Sequence, residues 1–582
     1  MIIRGFLAGA ALLLTACGGR SAPPAVPPPA EAADLVLVNG RVVTVDSSRP
    51  EAEAVAIRGD RIVRVGSDDD VTALIGPSTR VLDLAGRLAV PGFIEGHGHF
   101  AGVGEAKLNL DLTTARSWDD IVALVARAAE RAEPGEWILG RGWHQEKWDR
   151  VPAGAVEGVP THHTLSAVSP EHPVVLTHAS GHAAFVNAKA MELAGIDRDY
   201  VSRPGGETVR DANGDPTGLL RENDDEPVMA ALSRSRQTMT AAEREARFRR
   251  VVELAGRESL SKGVTTFHDA GAGFTTLASY RRLAEEGALP VRLYAMVRGA
   301  TNEEMARRLP EARVVGAGNH FLTVRSIKRQ VDGALGSHGA WLLEPYADMP
   351  SSTGLVLEPV ADIERTAELA LEHGYQVNTH AIGDRANREI LDLYERVFAR
   401  TPGSQADVRW RIEHAQHLHP ADIPRFAELG VIASMQGVHA TSDAPWVPRR
   451  LGDERAHNGA YRWQDLWRSG ALVTNGTDAP VEDVDPIASF WATVSRRLPD
   501  GGVFDPDQRL TREQALRSYT INNAHAAFEE ALKGSITPGK LADIVVLSRD
   551  IMRVPEAEIR EARVVYTILG GEVAYRAEGE ER

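Results

Sequence analysis

Short apolar strands occupy both ends of the folded part of the chain, and a long middle alternates strands with amphipathic helical stretches. Residues 34–92 consist of apolar runs separated by turn residues, and Asn39-Gly40 is a strong hairpin turn between two of them. Residues 531–582 show the same pattern of short apolar runs separated by turn residues, and Gly570-Gly571 is one such turn. We predict one small β-sandwich built from these two ends.

The middle, residues 93–530, carries apolar strands such as 264–267 and helical stretches such as 361–373 in regular alternation. Alternation of this kind favours a parallel sheet covered by helices. The length suits an α/β fold of the (β/α)8 TIM-barrel type with a large insertion at roughly 105–250.

The N-terminus has the pattern of a bacterial lipoprotein signal. Residues 1–16 contain Arg4, an apolar run and then small residues, which is typical of a secretory signal peptide and too short to span a membrane. The residues around Cys17 resemble a lipobox, which predicts cleavage before Cys17 and acylation of its sulfur; an ordinary signal peptide is the alternative. Residues 17–33 are rich in Pro and Ala and are predicted to form a tether.

From this signal we expect the protein to lie in the bacterial cell envelope, held to the membrane by an N-terminal lipid anchor. Gly18, where inner-membrane retention favours Asp, indicates the outer membrane facing the periplasm.

The formal net charge of −16 argues against a nucleic-acid partner, because phosphate binding requires clustered Lys and Arg. With a single cysteine the chain can form neither an internal disulfide nor a Cys-based zinc site. Any metal must therefore be held by His, Asp, Glu or a modified Lys.

Potential metal ligands follow several of the predicted strands. His97 and His99 alternate along one strand and can therefore point into the same space, although such a pair alone is more often a surface or core feature. The spacing of the other candidates, 52, 34 and 64 residues, fits barrel strands that lie one, one and two positions apart. These further candidates are Lys328, His380, His414 and Asp478.

The motifs around these residues resemble those of the amidohydrolase superfamily, specifically the amidohydrolase 3 family of metal-dependent amide hydrolases. The resemblance runs from about residue 34 to about residue 576. It is carried by PGFIEGHGH at 91–99, GEWILGRGW at 135–143, GVTT at 263–266, DGALGS at 332–337, THAIGD at 379–384, IEHAQ at 412–416, GTDAP at 476–480 and KGSITPGKLAD at 533–543.

The resemblance implies a site with one or two divalent metal ions, for which the His-rich ligand set favours zinc. The implied ligands are His97, His99, Lys328, His380, His414 and Asp478. A protonated lysine has no lone pair, so Lys328 would serve as a ligand only after carboxylation by CO2. An ion pair or a substrate contact is the alternative for Lys328.

The implied activity is hydrolysis of a non-peptide or N-acyl amide C–N bond in a small molecule by metal-activated water. Asp478 is predicted to be the catalytic residue that carries the proton to the leaving nitrogen. Trp143, His182 and Gln416 are candidate substrate contacts, with packing as the alternative for Trp143. Asp332 is interpreted as a residue that orders a loop.

Two other functions remain open at this point. A deaminase of the same superfamily would use a single metal ion, and Lys328 argues against it. A lipid-anchored binding protein without turnover would have lost ligands, yet all six positions are filled. The sequence names neither the substrate nor the oligomeric state, for which a homodimer is left open.

Overall fold

The computed structural model describes residues 32–401, 403, 407–498 and 500–580 of the 582-residue chain. The predicted signal peptide, Cys17 and the tether up to residue 31 lie outside the described residues. Within the described part of the chain, no helix combines the length and the apolar character needed to cross a bilayer.

Eight parallel strands form a sheet whose order follows the chain, which confirms the predicted TIM barrel. They are β1 (Phe93–Gly98), β2 (Val264–Ala272), β3 (Arg292–Val297), β4 (Leu322–Gln330), β5 (Gln376–Ala381), β6 (Arg411–His414), β7 (Ile432–Gln436) and β8 (Val473–Gly476). The longer helices after β2 to β8 are Phe274–Glu285, Asn302–Ala312, Val360–His373, Asp384–Arg400, Ile423–Leu429, Gly437–Asp443, Asp453–Gly459, Trp463–Ser469, Pro486–Ser495 and Arg512–Ser518.

Helix Val360–His373 shows how these elements arise from the sequence. Ile363, Ala367 and Ala370 recur at helical spacing and are buried against the barrel. The helix ends at Gly374, whose φ of 69° is left-handed and is readily adopted by glycine. The chain then turns directly into β5 and carries His380 to the carboxyl end of that strand.

Hydrogen bonds join the first and last barrel strands at their carboxyl ends. The Asp478 N–H donates to the His97 carbonyl oxygen at 2.7 Å, and the His99 N–H donates to the Ala479 carbonyl oxygen at 2.6 Å. The backbone N–H of Thr477 donates to the buried Glu95 carboxylate at 2.6 Å. We refer to these three contacts as the seam of the barrel.

The segment between β1 and β2 forms a second sheet beside the mouth of the barrel. Its six strands, in spatial order, are Gly206–Arg210, Pro216–Glu222, Ala183–Val186, Val174–His178, Ile138–Trp143 and Leu110–Asp111. The accompanying helices are Phe100–Ala106, Trp118–Ala129, His163–Val168, Ala188–Ala194, Glu226–Arg236 and Ala241–Ser261.

Strands from both ends of the chain share one sheet. In spatial order its strands are Glu572–Arg576, Val564–Leu569, Ile544–Leu547, Leu88–Pro91, Arg41–Val43 and Glu51–Ala52. A four-stranded sheet of Arg61–Gly66, Ala54–Arg58, Leu35–Val38 and Arg80–Asp83 shares an apolar core with it. The buried ion pair of Arg292 on β3 with Asp543, at 2.8 Å, fastens this sandwich to the barrel.

Candidate metal centre

The carboxyl end of the barrel brings all six predicted ligands to one cavity of about 460 Å³. Each side chain stands at the end of a strand or just beyond it, where parallel strands direct side chains to a common mouth. The ligand candidates are His97 and His99 at β1, Lys328 on β4, His380 on β5, His414 on β6 and Asp478 after β8.

His97, His99 and Asp478 form the tightest part of the cluster. Asp478 Oδ1 lies 3.2 Å from His99 Nε2 and 3.5 Å from His97 Nε2. One ligand atom from each of the three residues lies within 4.8 Å of the other two. Nitrogen and carboxylate donors this close together suit a single divalent ion.

His380 and His414 lie beside this group, with ring centroids 4.3 Å apart, and the His414 ring is 4.7 Å from that of His97. The Nδ1–H of His414 donates to Gln436 Oε1 at 2.7 Å, which leaves Nε2 with a free lone pair. His380 Nε2 is buried and has no hydrogen-bond partner among the described residues. Both rings therefore present nitrogen atoms that suit a metal ion.

Burial sets the protonation of the cluster. It lowers the pKa of His97 to about 4, assisted by the nearby Lys328 ammonium, and holds the pKa of His380 and His414 well below the ordinary value. Burial also lowers the pKa of Lys328 to about 7. The imidazoles of His97, His380 and His414 are thus neutral, as metal ligation requires, and Lys328 loses its proton readily.

A buried ion pair beneath the cluster orients His97. The Nδ1–H of His97 donates to Glu413, whose carboxylate also accepts from the Arg411 guanidinium at 2.9 Å. Arg411 in turn donates to the Gly96 carbonyl oxygen and to Ser434. Burial alone would raise the pKa of Glu413, but Arg411 and His97 outweigh it and hold that pKa well below its usual range.

The loop after β4 is ordered by Asp332, in agreement with the interpretation from the sequence. Its carboxylate accepts the backbone N–H groups of Trp341, Ile382 and Gly383 at 2.8, 3.0 and 2.8 Å. These bonds fix the β4 loop against the residues that follow His380.

The second sheet contributes His182 to the cavity wall. Its ring lies 5.3 Å from the ring of His380, and its Nδ1–H donates to Glu222 Oε2 at 2.8 Å. Glu222 has a left-handed φ of 50°, and a Cβ at Gly333 would collide with its carboxylate. The first glycine of the DGALGS motif therefore makes room for Glu222, a residue that the sequence reasoning missed.

The structure places Trp143 in a packed core, which is one of the two alternatives that the sequence left open. This side chain is 1% exposed, donates its indole N–H to the Leu176 carbonyl oxygen at 2.7 Å, and packs against Trp148 and Phe185. It lies in the core of the second sheet and does not line the cavity that holds the six ligand candidates, because strand Ile138–Trp143 turns it inward.

Gln416 lies on the wall of a smaller cavity of about 60 Å³ that adjoins the larger one. Its amide nitrogen donates to Asp443 at 3.0 Å and to the Tyr461 hydroxyl. The amide nitrogen of Gln416 is thus already hydrogen-bonded within the protein.

A model of the amidohydrolase family matches residues 80–575. The chain belongs to the amidohydrolase family. This amidohydrolase is 34% identical over 563 residues to the protein LONG AFTER FAR-RED 3 of Arabidopsis thaliana, covering 94% of this chain and 93% of the relative. It is 29% identical to the N-substituted formamide deformylase of Arthrobacter pascens, covering 94% and 99% of the two chains.

Among solved structures, the amidohydrolase resembles an uncharacterized metal-dependent hydrolase from Pyrococcus horikoshii, with a TM-score of 0.70 and 27% identity. The match covers 90% of this chain and 99% of that one. The family, this neighbour and the cluster of His97, His99 and Asp478 together support a metal-dependent hydrolase.

Proposed function

We propose that the protein hydrolyses the C–N bond of a small N-acyl amine, an amide that is not a peptide. The observation that carries this proposal is the convergence of six ligand candidates in one cavity at the carboxyl end of the barrel. The nearly full-length similarity to a deformylase of N-substituted formamides supports the bond type.

The donor set fits divalent zinc. His97, His99 and Asp478 would hold one ion, and His380 and His414 would hold another. When bound, zinc supplies an activated water molecule and a Lewis acid for the acyl oxygen. Lys328 Nζ lies 3.3 Å from His97 Nε2, so a CO2-derived carboxylate on Lys328 would add anionic oxygens within the same cluster.

Asp478 is the residue of this chain that moves the proton. It is a buried carboxylate, and it faces both the larger and the smaller cavity. In this position it accepts a proton from the attacking water and delivers it to the leaving nitrogen. His182 faces the same space from the second sheet and hydrogen-bonds the bound amide.

We expect the protein, produced from residue 18 onward, to carry two zinc ions per chain when it is grown with zinc and bicarbonate. Removing the metal with a chelator should abolish hydrolysis of N-formyl and N-acetyl amines, and zinc with bicarbonate should restore it. Lys328→Ala should hold at most one ion and should not respond to bicarbonate. Elemental analysis and a panel of amides test this, and a chain without bound metal or metal-stimulated turnover would overturn the proposal.

Replacing Glu222 by Ala is expected to lower kcat/KM about 10-fold to 100-fold, since a hydrogen bond to a charged group contributes about 1.5–3 kcal/mol. The zinc content should remain that of the wild type, because Glu222 acts through His182. Glu222→Gln keeps an acceptor for His182 and should recover part of the loss. Equal kinetics for the wild type and Glu222→Ala would contradict this role.

A further inference from the structure

The geometry points to a substrate site divided into two compartments of unequal size, which assigns the substrate class. The smaller compartment takes the acyl group, limited to a short alkyl chain, and the larger one takes a bulkier, polar amine part. This inference rests on the proposed amide hydrolysis and adds to it which end of the amide is restricted.

The two compartments meet at the metal centre. The cavity of about 460 Å³ and the cavity of about 60 Å³ share His182, His414 and Asp478 in their walls. A bond cleaved beside Asp478 therefore directs one substituent into each compartment. An amide has two such substituents, the acyl chain and the chain on nitrogen.

The smaller compartment has an apolar side, and polar side chains such as Lys147, Asp443 and Glu482 complete its wall. Leu335, Ile382 and Trp446 line it and are 1%, 4% and 8% exposed. Leu335 and Ile382 stand on the two loops that Asp332 ties together. A volume of about 60 Å³ holds a group of only a few heavy atoms, since one water needs about 10–15 Å³ by the same measure.

The larger compartment has a strongly polar wall of both signs. Arg141 and Arg298 line it together with Glu222, Asp225 and Glu226. The amine that leaves takes up a proton and becomes an ammonium ion, which Asp225 and Glu226 stabilise while Glu222 holds His182. The alkyl part of an acyl group is best placed against Leu335 and Trp446, so the acyl end faces the smaller compartment.

Two substrate series test whether the acyl group or the amine part of the amide is restricted in size. One series varies the acyl group of a single amine from formyl to hexanoyl, and the other varies the amine of a formamide from methylamine to phenethylamine. We expect kcat/KM to fall by about 10-fold or more per methylene once the acyl chain exceeds the compartment, because one misfitting methylene changes binding by about 1–3 kcal/mol. The amine series should be tolerated throughout.

Trp446→Ala should enlarge the smaller compartment and raise the ratio of hexanoyl to formyl hydrolysis at least 10-fold. Trp491→Ala is the matched control, since Trp491 packs under Arg560 on an outer helix and should leave the ratio unchanged. If Trp446→Ala does not fold, the two series on the wild type still decide the question.

A limit on the size of the amine part, with no limit on the length of the acyl chain, would overturn the assignment of the acyl group to the smaller compartment. An unchanged ratio in folded Trp446→Ala would also overturn it. Failure to hydrolyse any member of either series with zinc bound would remove the proposed function and this inference with it. Hydrolysis without a limit on acyl length would remove this inference alone.

Discussion

Asp478→Asn is expected to lower kcat for amide hydrolysis about 10³-fold, within the range of about 10²–10⁴ that a general acid–base group contributes. Asparagine has the same shape, but its amide neither accepts a proton nor carries the negative charge that faces His97 and His99 at 3.5 and 3.2 Å. The measurement is kcat at saturating substrate and saturating zinc, so that weaker metal binding does not enter the comparison.

Asp384→Asn is a suitable control for Asp478→Asn. The Asp384 carboxylate accepts the backbone N–H groups of Leu343 and Arg385 at 2.8 and 2.9 Å, and the asparagine oxygen can keep these bonds. Its kcat should stay near that of the wild type. If Asp478→Asn retains kcat within about 10-fold while zinc is bound, another group carries the proton.

Glu413→Gln is expected to weaken zinc binding about 10-fold to 100-fold, the usual effect of losing a group that orients a ligating histidine. The same change should lower the free energy of unfolding by about 3–5 kcal/mol, because Arg411 would remain buried without its charged partner. Both Glu413 and Arg411 are fully buried, so water cannot replace the lost carboxylate.

Urea unfolding of the zinc-free protein measures the stability effect, and competition with a zinc chelator measures affinity. Glu364→Gln is the control, since Glu364 pairs with Arg396 and Arg400 at 2.9 and 2.6 Å on an outer face of the barrel. Such a surface pair contributes about 0–1 kcal/mol. Similar losses in both variants would show that Glu413 has no special role at the centre of the barrel.

The barrel and the convergence of the six ligand candidates could be predicted because short motifs and a regular strand spacing along the chain indicate them. Each ligand follows an apolar strand in a short motif, and the spacing from 328 to 380, 414 and 478 matches the strand order β4, β5, β6 and β8. Arg411 and Glu413 also alternate along their strand, as His97 and His99 do. The alternation of side chains along a strand could therefore also have predicted that Arg411 and Glu413 are buried together in the barrel.

The contacts between the second sheet and the barrel could not be predicted from one sequence. Glu222 reaches Gly333 only through the placement of the sheet on the barrel mouth, which no local pattern encodes. For Trp143 the sequence left both a substrate contact and packing open, because an aromatic residue at a strand end has the same pattern whether it lines a pocket or fills a core. The smaller compartment depends on Leu335, Ile382 and Trp446 meeting from three separate loops.

The seam described above is also the place where the metal centre is assembled. Glu95 and Thr477 are separated by 382 residues along the chain, and their contact joins strands that carry His97 and lead to Asp478. An ion held by His97, His99 and Asp478 would have its ligands on both sides of this junction, so by mass action its binding would oppose separation of the first and last strands. Metal supply would thus govern the lifetime of the protein in the cell as well as its turnover.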